Sequence, residues 1–141
     1  MHRISLEDIM CEHPLRVKEN VTVGKVTHLL LRYRINGIFV MAKKDEDRLV
    51  GIFTTTDLFK LINDALSKGP HRIDHLKKIS KLPVGKVASK NIISLKKDAK
   101  ITKAIALIHK KNIHTIPVYD GGRLVGVVGR HDLLNVALNY Y

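Results

Sequence analysis

The run Gly51-Ile-Phe-Thr-Thr-Thr-Asp57 closes an apolar stretch with three hydroxyls and a carboxylate. Residues of these types at this spacing can do two kinds of chemistry. Thr54 and Asp57 stand three apart, which is the spacing of a capping box, where a hydroxyl and a carboxylate satisfy the first free N–H groups of a helix. The same groups can hold vicinal hydroxyls, because a carboxylate accepts from two O–H donors and charge-assisted bonds are the stronger ones. A helix N-terminus beside them favours phosphate. No Ser-His-Asp arrangement and no pair of carboxylates set for hydrolysis accompanies the turn, so the chain reads as a non-enzyme with no catalytic residues and no catalytic cofactor. His71 and His75 stand four apart, but without a Cys or Glu partner they read as a solvated face, and no metal site is assigned. Cys11 lacks a histidine partner and reads as a buried apolar residue.

The elements that must position these groups occur twice. "RLVGIFTTTDLFKL" (Arg48 to Leu61) returns 75 residues later as "RLVGVVGRHDLLNV" (Arg123 to Val136). Upstream, "RINGIFVM" lies over "NIHTIPVY" and "VTVGKVTHLLLRYRI" over "AKITKAIALIHKKNI", both at a spacing of 78. Each copy opens on a short extended segment (Leu15 to Val17; Ile92 to Leu95). A helix follows, with apolar residues at Val23, Val26, Leu29 and Leu30, or at Ile101, Ala104, Ile105 and Ile108. Two β-rich runs come next, joined by a charged loop or by Asp-Gly-Gly. A second helix closes the unit. The fold class is therefore α/β (α+β), a tandem β-α-β-β-α repeat. Its two halves are expected to pack about a pseudo-two-fold axis, since half a domain of this size buries too little surface to stand alone. The expected boundaries are residues 7–66 for the first repeat, 67–84 for a basic connector with a short helix, and 85–141 for the second repeat.

Composition sets the limits. Of 141 residues, 25 are Lys or Arg and 13 are Asp or Glu, a formal charge of +12 with histidines neutral. Such a balance attracts anions, whether nucleotides, nucleic acid or acidic partners. With no tryptophan and seven Phe and Tyr, a stacking platform for single strands is thinly supplied. No apolar run approaches the ~20 residues of a membrane helix, and no helix has the basic amphipathic form of a membrane-surface anchor. The first residues carry acids and no apolar h-region, which argues against a secretory signal. One cysteine excludes an internal disulfide framework, and a cytoplasmic location is expected.

The doubled β-α-β-β-α order, the strand "I-x-x-I-P-V" (Ile113 to Val118) and the G-x-x-T-x-x-D turn together resemble a CBS-domain pair, or Bateman module. The resemblance runs from about Glu7 to Ala137 and so implies a stand-alone module. "KNIHTIPV" is similar to the nucleotide-binding repeats of the AMP-activated kinase gamma subunit. The family implies a regulatory module that binds AMP, ADP, ATP or S-adenosylmethionine in clefts between the repeats and signals to a regulated protein by conformational change. It also implies a homodimer, for which Phe59 and Leu138 supply apolar helix surface. Carried over residue by residue, Thr54, Thr56 and Asp57 would hold the ribose. Ile92, Ile93, Ile113 and Pro117 would sandwich the adenine, and His114 and His131 would touch phosphate. Two imidazoles there would strengthen phosphate binding below about pH 6.5. The second cleft would join Asp132 and Arg130 to Leu15, Ile35, Asn36 and Gly37. Gly129 stands there in place of the family's Thr or Ser and Phe39 in place of its Pro, so this cleft is expected to be weaker or empty. The alternative reading is a basic nucleic-acid-binding or scaffold protein that uses the fold without a ligand.

Overall fold

A computed structural model describes residues 4–139. Residues 1–3, ahead of the first repeat, and 140–141, at the expected end of the second, lie outside it. The chain divides into two compact units, one spanning Leu15–Ile92 and the other running from Ile93 onward together with the N-terminal segment through Pro14.

The first unit contains β1 (Arg16–Lys18), α1 (Val23–Tyr33), β2 (Gly37–Met41), β3 (Leu49–Thr54), α2 (Thr55–Leu66) and α3 (Arg72–Ser80). The second contains β4 (Leu95–Lys96), α4 (Ile101–Lys111), β5 (Thr115–Asp120), β6 (Arg123–Gly129) and α5 (Arg130–Asn139). Each sheet has three strands in sequence order, with a parallel first pair and an antiparallel hairpin. The register shifts at Val40/Met41 in one hairpin and at Val118/Tyr119 in the other, positions 78 apart. The first helices end alike, on Arg34 and Asn112, both left-handed at φ 51°. The repeat in the sequence is thus a repeat of local geometry. The expected short connector helix is α3, whose Ile79 packs with Leu82 against the first unit's core.

The compact units nevertheless cross the sequence repeats at both leading segments. A 3-10 turn at Leu6–Asp8 carries Leu6, fully buried, into the second unit's core beside Ile101, Ile116 and Val128. Its counterpart at Val84–Lys86 carries Val84 into the first unit's core beside Val26, Ile38 and Phe53. Each leading segment then pairs with the last strand of the hairpin it covers. Cys11 and Val127 exchange backbone bonds at 2.9 and 3.0 Å, and Ile52 and Ser89 do so at 2.9 Å each way. These approaches require glycine. A Cβ on Gly126 would lie 2.9 Å from the Cys11 carbonyl oxygen, and one on Gly51 would lie 2.9 Å from that of Ser89. Cys11 is exposed, contrary to the apolar burial expected of it, because its backbone rather than its side chain makes the contact.

A charged clasp holds the second unit's leading segment. Lys97 Nζ lies 3.4 Å from Asp120 and 3.7 Å from Glu7. The hydrogen bond to Asp120, then the charges of Asp120 and Glu7, raise the Lys97 pKa above its ordinary 10.5. A base whose folded pKa is raised contributes stability that is complete below its unfolded pKa and lost as pH rises through the folded one. This clasp therefore loosens in alkali, as Lys97 gives up its proton.

Truncation of Leu6 tests the exchange of leading segments. Leu6→Ala should destabilise the chain by about 3 kcal/mol, as an ordinary core leucine would, although Leu6 lies far from the second repeat in sequence. Urea denaturation reads this, and a loss no larger than that of a surface substitution would contradict the placement.

Candidate functional site

The Thr54–Asp57 turn is a complete capping box at the start of α2. Thr54 is extended at φ −115° and ψ 164°, and its Oγ1 accepts from the Asp57 N–H at 3.2 Å. The same hydroxyl donates to Asp57 Oδ2 at 3.0 Å, and the Thr54 N–H donates to that oxygen at 2.9 Å. The two bonds that reach the carboxylate both use Oδ2. No partner among the described residues engages Oδ1. Thr56, one turn position before Asp57, is exposed and makes no bond in the cap. The turn thus holds a fixed carboxylate with one acceptor oxygen open and a free hydroxyl beside it.

The matching turn in the second unit is half of this device. Asp132 Oδ2 accepts from the Gly129 N–H at 3.0 Å, but glycine has no hydroxyl to return. The space for one exists, since a Cβ on Gly129 would meet nothing closer than Asp132 Oδ2 at 3.5 Å. Arg130 is tied down: its Nε donates to the Ile113 carbonyl at 2.8 Å and its Nη2 to Asn112 Oδ1 at 3.0 Å. Asn112 therefore fixes the arginine as well as ending α4.

Each turn is joined to the start of its own repeat's middle strand. The Thr55 N–H donates to the Asn36 carbonyl at 2.8 Å, and the Arg130 N–H to the His114 carbonyl at 3.1 Å. Gly37 is opposite Thr54 in the ladder, and Thr115 opposite Gly129. Ile35 and Ile113 are half-buried and pack against their respective cores, while Asn36, His114 and His131 are exposed. Leu15, 40% exposed, precedes β1. Of the groups assigned to adenine and phosphate, Ile92 belongs with the Thr54–Asp57 turn in one unit, and Ile93, Ile113, His114, Pro117 and His131 belong to the other.

Pro117 and Phe39 occupy equivalent, buried places in the middle strands. Proline cannot donate to a ladder. In the second unit β4 reaches only Val118 and Tyr119, so Pro117 has no partner on that side. In the first unit β1 is one pair longer and Arg16 sits opposite Phe39. The departure from proline therefore goes with a longer parallel ladder. Elsewhere, a groove of about 350 Å3 between α4 and α5 is lined by Ile105, Ile108, His109, Leu133, Leu134 and Arg130. It includes Arg130 alone of the residues assigned to a ligand. Among the described residues no group of three His, Cys, Asp or Glu side chains could hold a metal, and no helix is long and apolar enough to cross a membrane.

A family model for the CBS domain matches the chain twice, over residues 6–64 and 84–139. The chain belongs to the CBS-domain family. Three solved structures share its fold. CBSX2 in complex with AMP has a TM-score of 0.79 at 22% identity, covering 96% of this chain and 97% of that one. The CBS domain pair of MJ0100, in complex with 5′-methylthioadenosine and S-adenosyl-L-methionine, has 0.75 at 22%, covering 98% of each. MJ1225 from Methanocaldococcus jannaschii, proposed as an archaeal homolog of the AMP-activated kinase gamma subunit, has 0.84 at 21%, covering 96% of this chain and 48% of that one. The chain spans 24% to 64% of the length of three curated relatives it matches at 23% to 28% identity, a homoserine O-acetyltransferase from Methanococcus vannielii among them.

The two turns should differ measurably in their hold on the helices. Asp57→Ala breaks a reciprocal cap and should cost about 1–2 kcal/mol, whereas Asp132→Ala, which loses one bond, should cost about 0.5–1 kcal/mol. Gly129→Ser should add about 0.5 kcal/mol by completing the second box. Denaturant midpoints of the three variants check the order.

Proposed function

We infer that the chain is a regulatory, ligand-sensing module for an adenosine-containing molecule, AMP, ADP, ATP or S-adenosylmethionine, which signals to a partner protein by a change of conformation. The observation that carries this reading is the divided use of the Asp57 carboxylate. Oδ2 is committed to the cap, and Oδ1 is left with the Thr56 hydroxyl nearby in sequence and solvent. A carboxylate so held is preorganised to accept from ribose hydroxyls without first giving up the helix. Family relatives of known structure have been captured with AMP and with adenosyl compounds, which supports the ligand class.

In this reading Thr54, Thr56 and Asp57 serve the ribose, Ile92, Ile93, Ile113 and Pro117 the base, and His114 and His131 the phosphate. Asp132 with Leu15, Ile35, Asn36 and Gly37 forms the weaker set, because the Gly129 turn has no hydroxyl and the Arg130 guanidinium is already bonded. Binding acts only through a difference in affinity between two poses of the chain. A homodimer accords with the apolar side chains left on the outer helices. Phe59 is 71% exposed and its counterpart Leu134 58%, and Leu138 is 76% exposed.

Thermal-shift titration with the four ligands tests the reading. At a hundred times its dissociation constant, the cognate ligand should stabilise the wild type by about 2.7 kcal/mol. Thr56→Ala leaves the Thr54–Asp57 cap whole, so it should reduce the ligand-induced shift without lowering the melting temperature of the free protein. A shift unchanged in both Thr56→Ala and Asp57→Ala, or no shift with any ligand, would remove the ribose role and leave the turn a cap.

Phosphate recognition separates from base recognition by comparing AMP with adenosine. His114→Ala should weaken AMP binding about tenfold, the order of one charge-assisted contact, and leave adenosine binding unchanged. Equal losses for both would place His114 away from the phosphate.

A further inference from the structure

The two units share one fold but not one charge. Residues 15–92 hold sixteen Lys and Arg against seven acids, and the rest of the chain holds nine against six. The excess is therefore +9 in one unit and +3 in the other. It is densest where the family pattern stops. Residues 65–83, between the two family matches, carry Lys68, Arg72, Lys77, Lys78 and Lys81 against the single acid Asp74.

α3 gives those charges a fixed frame. His75, Leu76 and Ile79 are half-buried, while Ile73, Lys77, Lys78 and Lys81 are exposed. The helix lies close against α1, where a Cβ on Gly24 would come 3.1 Å from the Ser80 carbonyl oxygen. Ile73 is 53% exposed and Leu66, at the end of α2, 49% exposed. Spacing of four aligns Ile73, Lys77 and Lys81 along one edge of the helix. Among the described residues no carboxylate pairs with Lys77, Lys78 or Lys81.

We propose that the outer face of α3 docks an acidic protein segment that carries an apolar side chain, with Ile73 seating the apolar residue and Lys77, Lys78 and Lys81 meeting the carboxylates. A polyphosphate backbone would use the lysines but gain nothing from Ile73. A lipid surface needs a broad apolar face, and α3 offers one exposed isoleucine. Complementary charge with a small apolar anchor is the pattern of a steered protein contact. The proposal stands apart from the ligand reading, since none of its residues is assigned to a nucleotide.

The test uses the whole chain and four probes: a synthetic peptide of repeated Glu-Glu-Leu units, an all-Glu peptide of equal length, a mixed-sequence DNA duplex and phosphatidylserine vesicles. The Glu-Glu-Leu peptide should bind best. Lys77→Glu/Lys78→Glu/Lys81→Glu should weaken it about tenfold, the summed effect of three exposed ion pairs. Ile73→Ser should weaken the Glu-Glu-Leu peptide and leave the all-Glu peptide unchanged. Reversing three exposed lysines of α4, Lys103→Glu/Lys110→Glu/Lys111→Glu, should change binding less than about twofold, the residue of long-range field after screening. If the α3 reversal unfolds the chain by circular dichroism, the Gln versions of the same three positions take its place. Equal losses in the α3 and α4 variants, tighter binding of duplex or vesicles than of the peptide, or no peptide binding at low salt would each overturn the proposal.

Discussion

The structure depends on two backbone contacts that only glycine permits. At Gly51 and Gly126 a leading segment runs so close to the second hairpin strand that any Cβ would collide with a carbonyl oxygen. That approach lets Val84 and Leu6 fill their cores and lets Ser89 and Cys11 bond the strand edge. It also caps an edge that would otherwise present unpaired backbone groups. Neither β-α-β-β-α repeat is complete without a segment borrowed from outside its own expected boundaries. The hairpin end that carries the Thr54 or Gly129 turn is therefore held from two sides. One side is its own middle strand, and the other is the borrowed segment further along the same strand.

A turn so held can combine two roles that look exclusive in sequence. Capping consumes lone pairs on one carboxylate oxygen, and ligand binding needs lone pairs on the other. In the Thr54–Asp57 turn both bonds to the carboxylate converge on Oδ2 and the third runs from the Asp57 N–H to the Thr54 hydroxyl, so the helix start is satisfied with half the carboxylate. The comparison with Asp132 shows what the hydroxyl adds. Without it the carboxylate still satisfies one N–H, but the second fixing contact is gone and the side chain has more freedom to turn. Lost orientation weakens recognition of a diol more than it weakens a single N–H bond, because two hydroxyls must be met at once.

Much of the architecture was legible because the chain states it twice. The offsets of 75 and 78 bring equivalent elements into register, and the β-bulges and left-handed helix ends repeat at the same spacing. The capping box was legible as well, since Thr54-x-x-Asp57 is a local pattern. What escaped were contacts between residues distant in sequence. Leu6 gives no sign of belonging with Val128, because one short apolar turn matches either core equally well. Cys11 was misread for the same reason: its partner is Val127, and pairing through the backbone leaves the thiol outside. Arg130 lies beside His131, expected from the resemblance to touch phosphate, yet its guanidinium is bonded to Ile113 and Asn112. A charge count could not show that.

The uneven charge of the two units bears on how a duplicated fold diversifies. Packing constraints act on both copies alike, so Leu6 and Val84, or Gly126 and Gly51, remain matched. Exposed positions carry no such constraint, and a lysine added there costs little in stability. Surface charge alone would then drift in both copies to similar extents. Here the excess lies with residues 15–92 and peaks around α3, whose Ile79 packs against the first unit's core while its lysines stay exposed. A segment needed only for solubility would not need Gly24 cleared to let it sit against α1. α3 thus sets a half-buried face toward α1 and leaves a cationic face exposed, apart from the Thr54–Asp57 and Gly129–Asp132 turns.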